Sequence, residues 1–355
     1  MFTTRTLIPL LLTFSAFSPP LLAQAPKPAP KDDEVENCLG CHGDKDASFK
    51  LPSGEVVPLY VARETFDKSV HGPLGSCTGC HAGQAEVPHP AVETKNRDEF
   101  AATFREACKS CHFENYTKAI DSVHYRVLSK GGSNAPFCAD CHGSHDIAKP
   151  NAPRTKVSAT CGSCHAIIAG IYAKSVHGKA LAAGNTDVPV CTDCHHAHDI
   201  ADPRTTDWRL TTVALCGSCH SNKTMMAKYG LSTNVLKTYL SDFHGMSASL
   251  SKGQKNEPKA VTALCIDCHG THDIVKVKDS GSHVLQANLQ KTCAKCHTGA
   301  NANLPGAWLS HYEPSLKHAP LVWLVNLGYM IFIPFVIGGL VLQILLSLWR
   351  VMVNR

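Results

Sequence analysis

The chain is 355 residues long and 44% hydrophobic, with 18 cysteines, 21 histidines and a formal net charge of +5 at pH 7. Thioredoxin-like redox chemistry uses a single dithiol on a strand-to-helix turn, so a cysteine count this high excludes it. The mild positive charge invites a nucleic-acid partner, a reading that fails once the cysteines are placed.

They fall in nine copies of Cys-x-x-Cys-His that use all 18 cysteines. The copies are Cys38, Cys41 and His42; Cys77, Cys80 and His81; Cys108, Cys111 and His112; Cys138, Cys141 and His142; and Cys161, Cys164 and His165. Then follow Cys191, Cys194 and His195; Cys216, Cys219 and His220; Cys265, Cys268 and His269; and Cys293, Cys296 and His297. A disulfide framework has no reason to put a histidine after every second cysteine. Zinc sites take ligands in fours, so nine equal half-sites would leave one without a partner. Covalent haem c explains every copy alike: two thioethers hold the porphyrin, and the next histidine ligates iron from one face. Nine haems would bring roughly eighteen propionates and take the net charge to about −13, so no nucleic-acid partner is expected.

Haem is attached covalently outside the cytoplasm, and the chain opens accordingly. Residues 1–23, with Arg5 ahead of an apolar run from Leu7, read as a signal peptide ending at Ala23. Cleavage after Ala25 fits the Ala-x-Ala pattern better but would put Pro26 next. Residues 24–37 read as a polar, flexible lead-in.

Residues 38–320 form the expected nonahaem domain, and an internal repeat organises it. Three units have one motif, then a histidine in a Val-His or Phe-His turn, then a second motif with a His-Asp-Ile trailing it; an earlier, looser unit has Cys38, His71 and Cys77, with His89 in the trailing role. The units span about 38–90, 108–150, 161–203 and 216–277, and a half-unit covers 293–318. The first cysteine precedes the middle histidine by 16 residues in two units, ending at His124 and His177. The second motif's first cysteine precedes the trailing histidine by seven residues in three units, ending at His145, His198 and His272.

The spare histidines in repeat positions are His71, His89, His124, His145, His177, His198, His244, His272 and His311, nine for nine motifs. Each is a candidate sixth ligand, with His283 or His318 as alternatives to His89. The trailing histidines are tethered to the same side as their own motif histidine, so they should serve neighbouring haems. His196 follows His195 where the sister copies carry Gly143 and Gly270, and reads as a bystander or a propionate contact. Asp146, Asp199 and Asp273 read as turn residues or as hydrogen-bonding partners that tune a ligand. Iron with two histidines is coordinatively full and of comparatively low potential, suited to passing electrons.

Leu321–Trp349 is a 29-residue run without a charged side chain, followed by Arg350 and Arg355. It reads as a transmembrane helix with residues 350–355 as a cytoplasmic tail and the haem domain in the periplasm, anchored to the inner membrane. The ninth haem is expected at the membrane surface, beside His311 and His318. With so few residues per haem, the porphyrins must form much of the interior. The fold class is therefore mainly α with much irregular structure, an elongated haem-packed domain plus one transmembrane helix.

The doubled motifs of residues 38–297 resemble the multihaem c cytochromes, the family of the small tetrahaem cytochromes of sulfate reducers and their larger relatives in metal-reducing bacteria. From His311, the stretch HYEPSLKHAPLVWLVNLGYMIFIPF is similar to the junction of inner-membrane b/c cytochromes, in which a nonahaem c domain leads into a quinone-reactive cytochrome b. Here one span follows, and it holds no histidine for a b haem. The resemblance therefore implies a separate cytochrome b or other quinone-reactive subunit, and a periplasmic redox partner. The function it implies is electron transfer from quinol through nine haems into the periplasm. The alternative is a multihaem reductase of a nitrogen or sulfur oxyanion with one open iron.

Overall fold

The computed structural model describes residues 31–91, 93–132, 134–253, 262–308 and 311–354. The signal-peptide reading lies outside these residues. What the structure describes is mostly short helices joined by turns, with one antiparallel pair of strands, Ser48–Lys50 and Val56–Pro58, in which Phe49 faces Val57.

The motifs themselves explain much of the helix. In an α-helix, positions i, i+3 and i+4 share a face, so a helical Cys-x-x-Cys-His presents both thiols and the imidazole to one side. Three second motifs are helices in their own right: Cys138–His142, Cys191–His195 and Cys265–His269. Each has an aspartate at its third position whose carboxylate accepts the backbone N–H just before the helix. The bonds are Asp140 from Phe137 (2.8 Å), Asp193 from Val190 (2.6 Å) and Asp267 from Leu264 (2.9 Å). They satisfy a donor left open at the helix start. Arg154 and Arg209 pair with Asp193 and Asp267 at 2.6 and 2.8 Å, tying each motif to the segment before it.

Two first motifs instead lie at the ends of longer helices, Lys31–His42 and Thr206–His220. The first of these corrects the lead-in: residues 31–37 belong to that helix, and Val35 is buried at 3% exposure. Glu34, also within it, reaches the second motif. Its Oε1 accepts the N–H groups of Cys77 (2.9 Å) and Thr78 (2.7 Å) and the hydroxyl of Thr78 (2.8 Å). The helix bearing the first motif is thereby pinned to the turn bearing the second.

Protein side chains make only a modest core. Among the described residues, the continuous cluster is Leu210, Val213, Tyr239, Ala248 and Leu264, where Thr206–His220 meets Val235–Ser241, Phe243–Gly253 and Cys265–His269. Tyr239 closes it by donating to the Ala263 carbonyl at 2.8 Å. Elsewhere large apolar side chains beside the motifs, among them Phe113 and Ile167, stay exposed to the protein's own surface.

The C-terminal helix runs Pro320–Val353, a turn longer than the apolar run, and takes in most of the expected tail. Its 34 residues extend about 51 Å, and none of its most apolar window is buried. It is long and apolar enough to cross a bilayer, which fits single-pass anchoring.

The Glu34 carboxyl is held below its ordinary range, first by the Thr78 N–H and then by the Thr78 hydroxyl and the Cys77 N–H, against a smaller opposing effect of burial. A depressed carboxyl stabilises the fold above its unfolded value of about 4.3 and loses that contribution as pH falls through the folded value. Glu34→Gln should cost about 0.5–1 kcal/mol at pH 7 after solvent screening. Urea unfolding at pH 7 and pH 3 checks this, with the gap between variant and parent expected to close at the lower pH.

Candidate functional site

The V-H turns are built by a side chain two residues before each histidine. Ser122 and Ser175 cap the helices Val123–Leu128 and Val176–Ala182, accepting from the N–H of Tyr125 and Gly178 at 3.1 Å each. Ser69 Oγ accepts from Gly72 and Asp242 Oδ1 from Gly245, both at 3.0 Å. Each cap fixes the first turn and so the direction of His71, His124, His177 or His244. Ser175 is 2% exposed, as a cap wedged into the interior should be. The pattern Ser/Asp-x-His was legible in the chain, though only the histidine was read from it.

The residue between cap and histidine joins one unit to the next. Val70, Val123 and Val176 donate their N–H groups to the carbonyls of Ile147, Ile200 and Ile274, all at 2.8 Å. Those isoleucines end the His-Asp-Ile segments of the following units. Every such bond therefore brings a middle histidine and a trailing histidine of successive units side by side.

The outcome is a set of nine imidazole pairs. His42 faces His89 and His81 faces His145, with ring centroids 6.0 Å apart in each pair. His112 faces His71 at 6.0 Å, His142 faces His198 at 6.1 Å, and His165 faces His124 at 6.2 Å. His195 faces His272 at 5.9 Å, His220 faces His177 at 6.4 Å, His269 faces His311 at 6.1 Å, and His297 faces His244 at 6.2 Å. Each pair joins one motif histidine to one spare histidine, and every motif histidine has a partner.

Two of the sequence readings change here. His311 stands opposite the eighth motif's His269, while the ninth motif's His297 meets His244. The ligand position nearest the C-terminal helix in the chain thus belongs to the eighth motif, in place of the ninth. His283 and His318 face no motif histidine: His283 Nε2 lies 3.5 Å from Asp273, and His318 stacks on Tyr312 at 4.9 Å. His89 takes the place opposite His42, for which those two were the alternatives.

The spacing tests whether these residues fit haem iron. An imidazole nitrogen binds a metal at about 2.0 Å, and the ring centre lies about 1.1 Å behind it, so two rings on opposite sides of one iron have centroids about 6.3 Å apart. The pairs, at 5.9–6.4 Å, fit. Direct aromatic packing also covers this range, but it would not select one motif and one spare histidine nine times. Burial, followed by the facing imidazole, holds His81, His124, His142, His177 and His195 below the ordinary histidine range, and pushes His269 down to about 4. Neutral rings are the form that binds metal.

The thiols line up in chain order. Cys38 interacts with Cys77, Cys108 with Cys138, Cys161 with Cys191, and Cys216 with Cys265. Between units the second cysteines take over: Cys80 lies near Cys108 and Cys111, Cys141 near Cys164, Cys194 near Cys219, and Cys268 near Cys293. Cysteines of successive motifs therefore lie near one another from the first motif to the ninth.

His196 departs from its sister positions. Gly143 and Gly270 sit at φ 78° and 81°, where an added Cβ would meet an aspartate oxygen at 2.2 Å, and His196 holds φ 63° and ψ −179°. That region is essentially reserved for glycine, and a side chain there costs about 1–3 kcal/mol. The His196 ring, 3.2 Å from Asp199, is exposed and recovers little of this. His196→Gly should raise the unfolding midpoint by several degrees with the haem spectrum unchanged, as measured by thermal melting of the holoprotein.

Residues 132–221, which hold four complete motifs, match the family described as cytochrome c3. No curated protein and no solved structure matches the chain. The family match supports a multihaem c-type cytochrome with covalently bound haem c, working in electron transfer.

Proposed function

We propose that this chain is a membrane-anchored periplasmic cytochrome that passes electrons along nine bis-histidine haems, from a quinone-linked membrane partner to periplasmic acceptors. The observation that carries this reading is the pairing of every motif histidine with one spare histidine at the separation a shared iron requires.

When bound, each haem supplies a one-electron iron couple. The chain's own residues do the rest. The two cysteines of each motif would hold the haem covalently, and the motif histidine and its paired histidine would both hold the iron. Neutral imidazoles already aimed at each other in the folded chain would leave the protein little to rearrange. Middle histidines reach forward to the first motif of the next unit, and trailing histidines reach back to the second motif of the previous one. The nearness of cysteines in successive motifs supports electron movement in chain order, from one motif to its neighbour. Gln343, Asn326 and the adjacent Gly338 and Gly339 of the C-terminal helix favour a close helix partner in the bilayer, and Pro334 within it leaves a backbone carbonyl free. A quinone-reactive subunit is the partner that would feed electrons there.

Two measurements test the reading. Intact mass of the mature holoprotein should show nine covalent haems, and its oxidised paramagnetic resonance spectrum should be dominated by low-spin signals. His198→Met should leave the haem count intact and raise the potential of one haem, that of the fourth motif. An unchanged redox titration would refute the pairing of His198 with His142.

The partner is tested by purification in mild detergent. A multi-span subunit is expected to come with the cytochrome, and quinol should reduce the haems only in its presence. Reduction by quinol of a cleanly monomeric protein would rule the partner out.

A further inference from the structure

The nine spare histidines are not held alike. His71, His124 and His177 follow a capping serine and sit beside a valine bonded to the next unit. His145, His198 and His272 lie in segments whose isoleucine carbonyls accept those same bonds. His244 follows the Asp242 cap, and its carbonyl accepts the Thr262 hydroxyl at 3.0 Å. His311 has Thr238 Oγ1 at 3.3 Å from its Nδ1 and the Trp308 ring against it.

His89 has none of this. Of the nine it is the one exposed to solvent. Its Nδ1 donates to the Glu86 carbonyl at 2.8 Å, a bond within its own loop that travels with it. Pro88 and Pro90 flank it and bring no N–H of their own. Among the described residues, 85–91 donate no hydrogen bond outside that loop. The opposite ring is fixed: His42 ends the helix Lys31–His42, and its Nδ1 donates to the Leu59 carbonyl at 3.0 Å, leaving Nε2 for metal.

We infer that His89 is an exchangeable ligand, and that a small neutral diatomic molecule can take its place at the iron of the first motif. The inference rests on the proposed pairing of His42 with His89 across one haem. Releasing any of the other eight spare histidines would also undo a cap, an inter-unit bond or a buried contact. Releasing His89 breaks its bond to iron and returns conformational freedom to an exposed loop, which offsets part of the cost. The exchange breaks one nitrogen-to-iron bond and forms one ligand-to-iron bond, with no electron transferred. His42 keeps the haem in place throughout. Being the first motif, this centre lies at the end of the motif sequence farthest along the chain from the C-terminal helix.

Carbon monoxide is the probe, added to the dithionite-reduced holoprotein and followed by optical difference spectroscopy with magnetic circular dichroism for spin state. Wild-type protein is expected to bind one carbon monoxide per chain. His89→Ala should convert one haem to high spin before carbon monoxide is added, with the haem count unchanged, and should still bind one, at a faster rate. Wild type that binds none, beside a His89→Ala variant that binds one, would overturn exchange while leaving the His42–His89 pairing intact. A variant whose spin state matches wild type would overturn the pairing itself. Binding of two by the variant would assign the wild-type site to another haem and equally overturn the inference.

Discussion

An iron with an imidazole on each face can form only where two stretches of chain approach it from opposite sides, and much of this structure follows from that requirement. A motif supplies one imidazole and both thiols on a single helical face, so the second imidazole has to come from elsewhere. For eight of the nine pairs it comes from a different repeat unit. The units are therefore laced together: four middle histidines reach forward, and every trailing histidine but His89 reaches back. The valine-to-isoleucine bonds at 2.8 Å are the backbone counterpart of the same lacing.

This lacing explains how so small a side-chain core can suffice. The buried cluster around Tyr239 occupies one unit, and other units bury isolated residues such as Val35, Phe137 and Val190. In an ordinary domain of this length a contiguous core would be the main source of stability. Here exposed apolar side chains beside the motifs are surfaces a porphyrin would cover, and histidine pairs and backbone bonds link each unit to its neighbour. The first unit is the exception, its His42 and His89 coming from the same unit.

A repeat also makes its exceptions visible. His196 occupies a glycine conformation in one unit only, and the eighth motif draws its partner from the segment leading into the C-terminal helix. The aspartate at the third position recurs in three second motifs, the cap before the histidine turn in four units and the trailing His-Asp-Ile in three, each with nearly equal geometry. The same local sequence is solving the same local problem.

The sequence by itself determined the motifs, the repeat and the apolar helix, because each is a matter of short spacing. Helical geometry makes Cys-x-x-Cys-His one chemical unit wherever it occurs, and a long uncharged run has one obvious environment. Counting also matched nine spare histidines to nine motifs. What it could not supply was the pairing. His112 and His71 are 41 residues apart, and nothing in the spacing favours His71 over His89 or His145 as its partner. That choice depends on which units dock and in what direction, decided by the bonds from Val70, Val123 and Val176 and by the caps that aim the rings. For the same reason the ninth motif was matched to His311 by proximity in the chain, whereas the folded protein gives it His244 and hands His311 to the eighth. Covalent attachment is local chemistry and is written in local sequence. Axial pairing needs two distant segments to meet, and only the tertiary structure brings them there.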